Sequence, residues 1–269
     1  KSRTAITRND SPDLGFDRSI NAYRGCEHGC SYCFARPTHA FLGLSPGQDF
    51  ETRIFAKHRA PELLRQELSQ PGYSCRMIAL GTNTDPYQPA ERKLEITRAI
   101  LEILSEFNHP VGIVTKSALI TRDVDILSSM AERNLVKTII SVTTLERDLA
   151  RRMEPRAATP AKRLAAIRTL SCAGIPTGVN FAPVIPALNE SELEAVFEAA
   201  AEAGACEAAY ILLRLPLEIT DLFKEWLLLH APNRARHVMS RMRDMHAGKH
   251  YRSEFGLRQT GSGPSAELL

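Results

Sequence analysis

The stretch VGIVTKSALITRDVDILSSMAERNLVKTIISV, residues 111–142, reads as strand, helix, strand. Its outer runs, VGIVTK (111–116) and VKTIISV (136–142), are mostly apolar rather than strictly alternating. Strands of that kind belong to a parallel sheet covered on both faces. Between them TRDVDILSSMAERN (121–134) has a helical pattern, and a parallel pair needs such a crossover.

The unit recurs in both directions. Upstream, INAYRG (20–25) and RMIALG (76–81) read as strands, the second followed by a loop and a helix over ERKLEITRAILEILSEF (91–107). Downstream, TLERDLARRM (144–153) and PAKRLAAIRTLSCAG (160–174) are helical, and PTGVNFAPV (176–184) precedes the helix NESELEAVFEAAAEAG (189–204). The strand AAYILLRLP (208–216) closes the series. Asn189 with Glu192 three residues on fits a capping box. Gly174 and Gly204 stand where a left-handed residue ends a helix. Six strands alternating with helices give a parallel α/β fold, either open and doubly wound or a barrel. Helices are expected at about 218–231 and 233–247, then an irregular tail from Arg252 to Leu269.

The chain has 269 residues, 43% of them hydrophobic and 24% charged, with a net charge of +3. That balance by itself does not imply a nucleic-acid partner. The first thirty residues lack an apolar h-region, and no run approaches the roughly 18 apolar residues of a membrane span. The expectation is a cytoplasmic protein with no membrane association; the sequence leaves the oligomeric state open.

In parallel α/β folds ligands bind beyond the carboxyl ends of the strands. The loops there are polar. Cys26, Cys30 and Cys33 follow the first strand and TNTDPYQPAE (82–91) the second. Lys116 and Ser117 follow the third; Ser141, Thr143 and Thr144 end the fourth; Asn180 lies on the fifth and Arg214 on the sixth. Cys75, Cys172 and Cys206 precede strands, at the opposite end, and are read as small buried hydrophobes.

The cluster YRGCEHGCSYCFARPTH (23–39) has the spacing C-x3-C-x2-C. A structural zinc needs four protein ligands. His39 is a candidate fourth, whereas His28 lies inside the loop, where chelating the same ion would be strained. In an iron–sulfur cube each thiolate binds a different iron, so three can come from one short loop. The fourth iron is then free to chelate an amine and a carboxylate.

The three-cysteine spacing with Tyr32 before the last cysteine resembles the radical S-adenosylmethionine (SAM) superfamily. GTNTDPYQPAE (81–91) is similar to the branch related to spore photoproduct lyase. The resemblance covers residues 16–216 as the core domain, leaving 217–269 as a helical C-terminal extension and tail. It implies a partial (β/α)6 TIM-like barrel of parallel strands. It also implies a [4Fe-4S] cluster on Cys26, Cys30 and Cys33, bound SAM, and an electron donor such as flavodoxin or ferredoxin. The activity implied is lyase-like: reductive cleavage of SAM to methionine and a 5′-deoxyadenosyl radical.

Carried over residue by residue, Thr84 and Asp85 resemble the segment meeting the SAM amino group. Lys116 resembles the basic residue meeting its carboxylate, although a solvent-facing loop lysine would look the same. Ser141 and Thr143 are candidates for the ribose hydroxyls, or for caps of the next turn. Tyr32 is placed against the adenine, or simply packs. Glu154 and Arg156 could contact SAM or substrate, or form a helix-end ion pair. Spore photoproduct lyase carries a hydrogen-donating cysteine in the loop after the second strand; here that loop reads Thr82-Asn83-Thr84-Asp85. No residue is assigned as catalytic.

From Arg234 to Arg258 seven Arg and Lys stand against Asp244 and Glu254, a net +5. A basic stripe is the footprint of nucleic-acid binding, or else a solvated helix face. Met239, Met242 and Met245 recur at helical spacing and are read as packing. The leading expectation is a radical SAM enzyme on an unknown substrate, nucleic acid first. The alternative is a zinc- or cluster-stabilised nucleic-acid-binding module without catalysis.

Overall fold

The computed structural model describes residues 3–267. Nine strands are formed: β1 (Thr7–Arg8), β2 (Arg18–Ile20), β3 (Tyr23–Arg24), β4 (Phe55–Ala56), β5 (Ile78–Leu80), β6 (Val111–Thr115), β7 (Val136–Ser141), β8 (Thr177–Val184) and β9 (Glu207–Leu212). Seven make one sheet in the order β1-β2-β5-β6-β7-β8-β9. All neighbours are parallel except the β1–β2 edge pair. The six parallel strands are the six read from the sequence, and they follow one another in chain order. The fold is α/β, with a mostly parallel central sheet and helices around it.

The first strand differs from its expected span of 20–25. It ends at Ile20, and the chain turns so that Tyr23–Arg24 pairs with Phe55–Ala56 in a separate two-stranded sheet. Residues 26–54 are the excursion between β3 and β4, and they carry the three clustered cysteines. The last strand also stops early, at Leu212.

The helix expected over 91–107 is broken. Glu95 adopts φ 48°, separating Glu91–Leu94 from Ile96–Glu106. The cause is Glu91, which is fully buried. Its carboxylate accepts the Thr97 N–H at 3.0 Å, the Arg122 guanidinium at 3.0 Å and the Tyr23 hydroxyl. It thereby caps the second segment from inside the chain. The capping box at Asn189 is also not formed. Asn189 Oδ1 accepts Ile185 N–H at 2.6 Å, and its Nδ2 donates to the Thr143 and Pro183 carbonyls. Glu192 instead accepts the Thr144 hydroxyl and the Leu145 N–H. Both residues tie the end of β7 to the loop after β8. Gly174 and Gly204 have φ of 74° and 97°, as expected of helix ends.

Cys75, Cys172 and Cys206 are exposed, contrary to the reading of them as buried. They precede strands at the far rim of the sheet, where the core no longer covers them.

The C-terminal helices Ile219–His230 and Pro232–Met245 pack beside the cysteine loop. Phe223, Leu227, Val238, Met239 and Met242 share one buried cluster with Cys30, Tyr32, Met153 and Ile185. The methionines are therefore packing residues, as read. The segment after them returns to the sheet, where Leu212 N–H donates to Gln259 O at 3.0 Å. Among the described residues no helix is long and apolar enough to cross a membrane.

Candidate active site

A cavity of about 590 Å³ opens at the carboxyl ends of the parallel strands. Its wall includes Cys26, Cys30, Tyr32 and Cys33 from the excursion, Thr82, Thr84 and Asp85 after β5, and Lys116 after β6. Ser141 of β7 and Asn180 of β8 complete the floor, and they are direct partners in the strand register. The fold thus brings the three cysteines, Tyr32, Thr84, Asp85, Lys116 and Ser141 to one cavity, but not Thr143. That residue lies behind the wall, where its hydroxyl donates to Glu154 at 2.7 Å.

Backbone geometry makes room for the cavity. Gly81 ends β5 with φ 85°, and a Cβ there would collide with the Val114 carbonyl oxygen. Only glycine fits that conformation and that approach. Gly25, at φ 81°, lets the chain turn under Phe50 O immediately before Cys26.

Asp85 organises one wall. Its carboxylate accepts the Thr115 hydroxyl at 2.6 Å, Lys116 N–H at 2.8 Å and Tyr87 N–H at 2.9 Å. His28 Nδ1 lies 3.4 Å away. Burial would raise this carboxyl, but His28 and the donated hydrogen bonds outweigh it and hold it at about 2. Asp85 therefore locks the loop after β5 to the end of β6 and to the cysteine loop. Thr84 joins the lock, its hydroxyl donating to Tyr23 O at 3.1 Å.

Glu154 organises the opposite wall. It is buried, ion-paired to the buried Arg163, and 3.7 Å from Lys116 Nζ. Tyr32 also donates its hydroxyl to it. Burial opposes ionisation, but Arg163, Lys116 and these hydrogen bonds hold the carboxyl at about 2. Sequence reasoning left Glu154 between substrate contact and ion pair; it is the ion pair. Arg156 points away, to Glu27 O and Glu51.

The Lys116 ammonium donates to Ala182 O at 2.9 Å and lies 5.7 Å from the centre of the Tyr32 ring. Ammonium carries three donors, so capacity remains toward the cavity that it lines. The thiols of Cys26, Cys30 and Cys33 are pushed up, chiefly by burial. His39 is buried with Nε2 3.1 Å from Arg53 O, packed edge-on against Phe50. Among the described residues no three His, Cys, Asp or Glu side chains converge on a single ion.

Residues 20–200 match the family model of the radical SAM superfamily. The chain belongs to this superfamily. Membership makes it a radical SAM enzyme and implies SAM, an iron–sulfur cluster and an electron donor, so the reading as a non-catalytic binding module is set aside. An uncharacterised protein of Mycobacterium tuberculosis is 36% identical over 235 residues, which is 87% of this chain and 68% of that one. One of Methanocaldococcus jannaschii is 27% identical over 173 residues, 64% of this chain and 62% of that one. Among solved structures, spore photoproduct lyase complexed with dinucleoside spore photoproduct superposes with a TM-score of 0.61 at 17% identity. The match covers 83% of this chain but 64% of that one. Streptococcus suis SuiB bound to its precursor peptide SuiA gives 0.51 at 15% identity, over 72% of this chain and 38% of that one. At such identities these two similarities speak to the fold.

Several lining residues were not singled out from sequence. Thr7 and Asn9 come from the amino-terminal segment and Gln259 from the returning tail, next to Arg258 of the basic stretch. Neither segment carries a motif; only the return of the chain to the edges of the sheet brings them there. Asn180 was noted after its strand but given no role.

Proposed function

We propose that Cys26, Cys30 and Cys33 hold a [4Fe-4S] cluster in the cavity and that SAM binds beside it, the substrate being a nucleic acid. The observation that carries this is the meeting of three thiols, Lys116, Ser141 and Asn180 around one cavity. When bound, cluster and SAM supply reductive cleavage to methionine and a 5′-deoxyadenosyl radical.

The residues present fit that pair. Three thiols from one loop suit a cluster, in which each thiolate takes its own iron. A tetrahedral zinc needs donors converging on one point, and among the described residues no three His, Cys, Asp or Glu side chains do so. Asn180 Oδ1 is buried without a partner among the described residues. Ser141, beside it in register, also lines the cavity. An unpaired buried acceptor implies a ligand that donates to it, as a ribose hydroxyl or adenine amino group does.

The chain's own roles follow. Lys116 faces the SAM carboxylate, held in place by Ala182 O and Glu154. Tyr32, braced by Glu154, presents its ring toward the adenine. Thr84 and Asp85 form the edge facing the SAM amino group, Asp85 chiefly as the lock on His28 and Lys116 N–H. Thr143 braces Glu154 rather than touching SAM. The apolar cluster around Cys30 shields the site from water. The only cysteines among the lining residues are the three of the loop, so a product radical takes no hydrogen from a fourth thiol there.

Nucleic acid is favoured as substrate by the basic stretch 234–258. Arg234, Arg236 and Arg243 are exposed along the helix Pro232–Met245, and Arg258 lines the cavity. That a spore photoproduct lyase structure holds a dinucleoside spore photoproduct agrees with this class.

Lys116→Ala tests the SAM placement. A hydrogen bond to an ionised group contributes about 1.5–3 kcal/mol, so SAM affinity should fall about tenfold to a hundredfold. Titration of the anaerobically reconstituted variant, with its visible absorption retained, would show this. Unchanged affinity would mean that SAM lies elsewhere.

A further inference from the structure

We propose that Arg214, stacked on Phe34 at the mouth of the cavity, is the anchor for a phosphodiester group of a nucleic-acid substrate. The inference rests on the radical SAM reading above and deepens it by naming how substrate is held.

Arg214 follows β9 and lines the cavity. Its guanidinium carbon lies 4.3 Å from the centre of the Phe34 ring, and Phe34 follows Cys33 directly. The side chain makes no hydrogen bond or ion pair among the described residues, although it is largely withdrawn from solvent. Burial lowers its proton affinity, and nearby Arg258 adds to this, while Tyr251 and Asp13 oppose it. A half-buried guanidinium without a counter-charge leaves its donors open to an anion. The buried arginines beside the cysteine loop are both paired: Arg163 with Glu154 and Arg36 with Glu51. Even Arg258 has its own acid, Asp13, at 2.6 Å. Arg214 is the exception, and its donors are left for an anion in the cavity.

Three features favour a phosphodiester over a carboxylate. A planar fork fixed by stacking suits bidentate phosphate contact. Phe34 keeps 41% of its surface exposed, leaving ring area against which a base can stack. Finally, Arg258, the last residue of the basic stretch 234–258, lines the same cavity.

The test uses the anaerobically reconstituted full chain with SAM and a short fluorescein-labelled single-stranded deoxyoligonucleotide of mixed sequence, followed by anisotropy against salt. Arg214→Met should weaken binding tenfold or more and reduce the log–log salt slope by about 0.7, the contribution of one phosphate on a single strand. Arg214→Lys should keep the slope while losing part of the affinity. Thermal unfolding separates this from a structural role. Removing an unpaired charge leaves the melting temperature unchanged or raised, whereas loss of a structural arginine lowers it. Unchanged affinity in Arg214→Met, no oligonucleotide binding by the wild type, a lowered melting temperature, or Arg214-dependent binding of an acidic peptide instead would each overturn the proposal. A wild type that cleaves SAM but ignores the oligonucleotide sinks this inference and the nucleic-acid substrate with it, and leaves the radical chemistry standing. One that binds it through Arg214 but assembles no cluster sinks the radical reading alone.

Discussion

Replacing Cys26, Cys30 or Cys33 by alanine, one at a time, is expected to abolish the visible absorption of the reconstituted protein and reduce SAM cleavage to background. The three thiols come from one short excursion between β3 and β4, and nothing nearby can stand in. His39 packs edge-on against Phe50 with Nε2 on Arg53 O, and His28 faces Asp85; among the described residues no group of three His, Cys, Asp or Glu could hold an ion. The remaining cysteines are exposed at the other rim of the sheet. Cys75→Ala, Cys172→Ala and Cys206→Ala should therefore keep both colour and activity. The contrast is the useful reading, because surface substitutions away from such features usually change stability by no more than about 0.5 kcal/mol. A variant of the first set that retains iron, sulfide and cleavage would remove that cysteine from the ligand set.

Glu154→Gln is expected to have the largest effect on stability of any single change near the site. It leaves Arg163 buried without its counter-charge and frees Lys116 from its restraint. Breaking a buried pair by removing one partner costs about 3–5 kcal/mol, which chemical denaturation of the unreconstituted protein would report. The acid limb should change as well. Glu154 is held at about 2 against an ordinary 4.5. Its contribution is thus fully present above pH 4.5 and is lost as pH falls toward 2. Asp85, held at about 2 against 3.8, adds to the same slope. Glu154→Gln should flatten that slope without eliminating it. A loss below 1 kcal/mol with an unchanged acid limb would mean that the Glu154–Arg163 pair is replaceable by neutral hydrogen bonds.

The alternation of strand and helix was legible because the strands of the parallel sheet are mostly continuous apolar runs. The polar loops at the carboxyl ends were legible for the same reason. That is why Thr84, Asp85, Lys116 and Ser141 could be named before their geometry was known. What stayed hidden depends on long-range partners. Glu91 breaks a helix because Tyr23 and Arg122 reach it from elsewhere in the chain. Thr143 turns from the cavity because Glu154 is there to take its hydrogen bond. Asn189 looks like a cap but serves the end of β7. Cys75, Cys172 and Cys206 are small and apolar enough for a core, and only the position of the rim exposes them. Arg214 was visible at a strand end, but its lack of a partner is a property of the folded chain alone.

The central claim is that this cavity assembles a cluster and turns over SAM. Anaerobic reconstitution with iron and sulfide, followed by reduction in the presence of SAM and chromatography of the products, tests it most directly. About four irons and four sulfides per chain, with slow formation of 5′-deoxyadenosine and methionine in the absence of substrate, is the predicted result. A colourless protein carrying one tightly bound zinc, or a reduced cluster protein that leaves SAM intact, would contradict it.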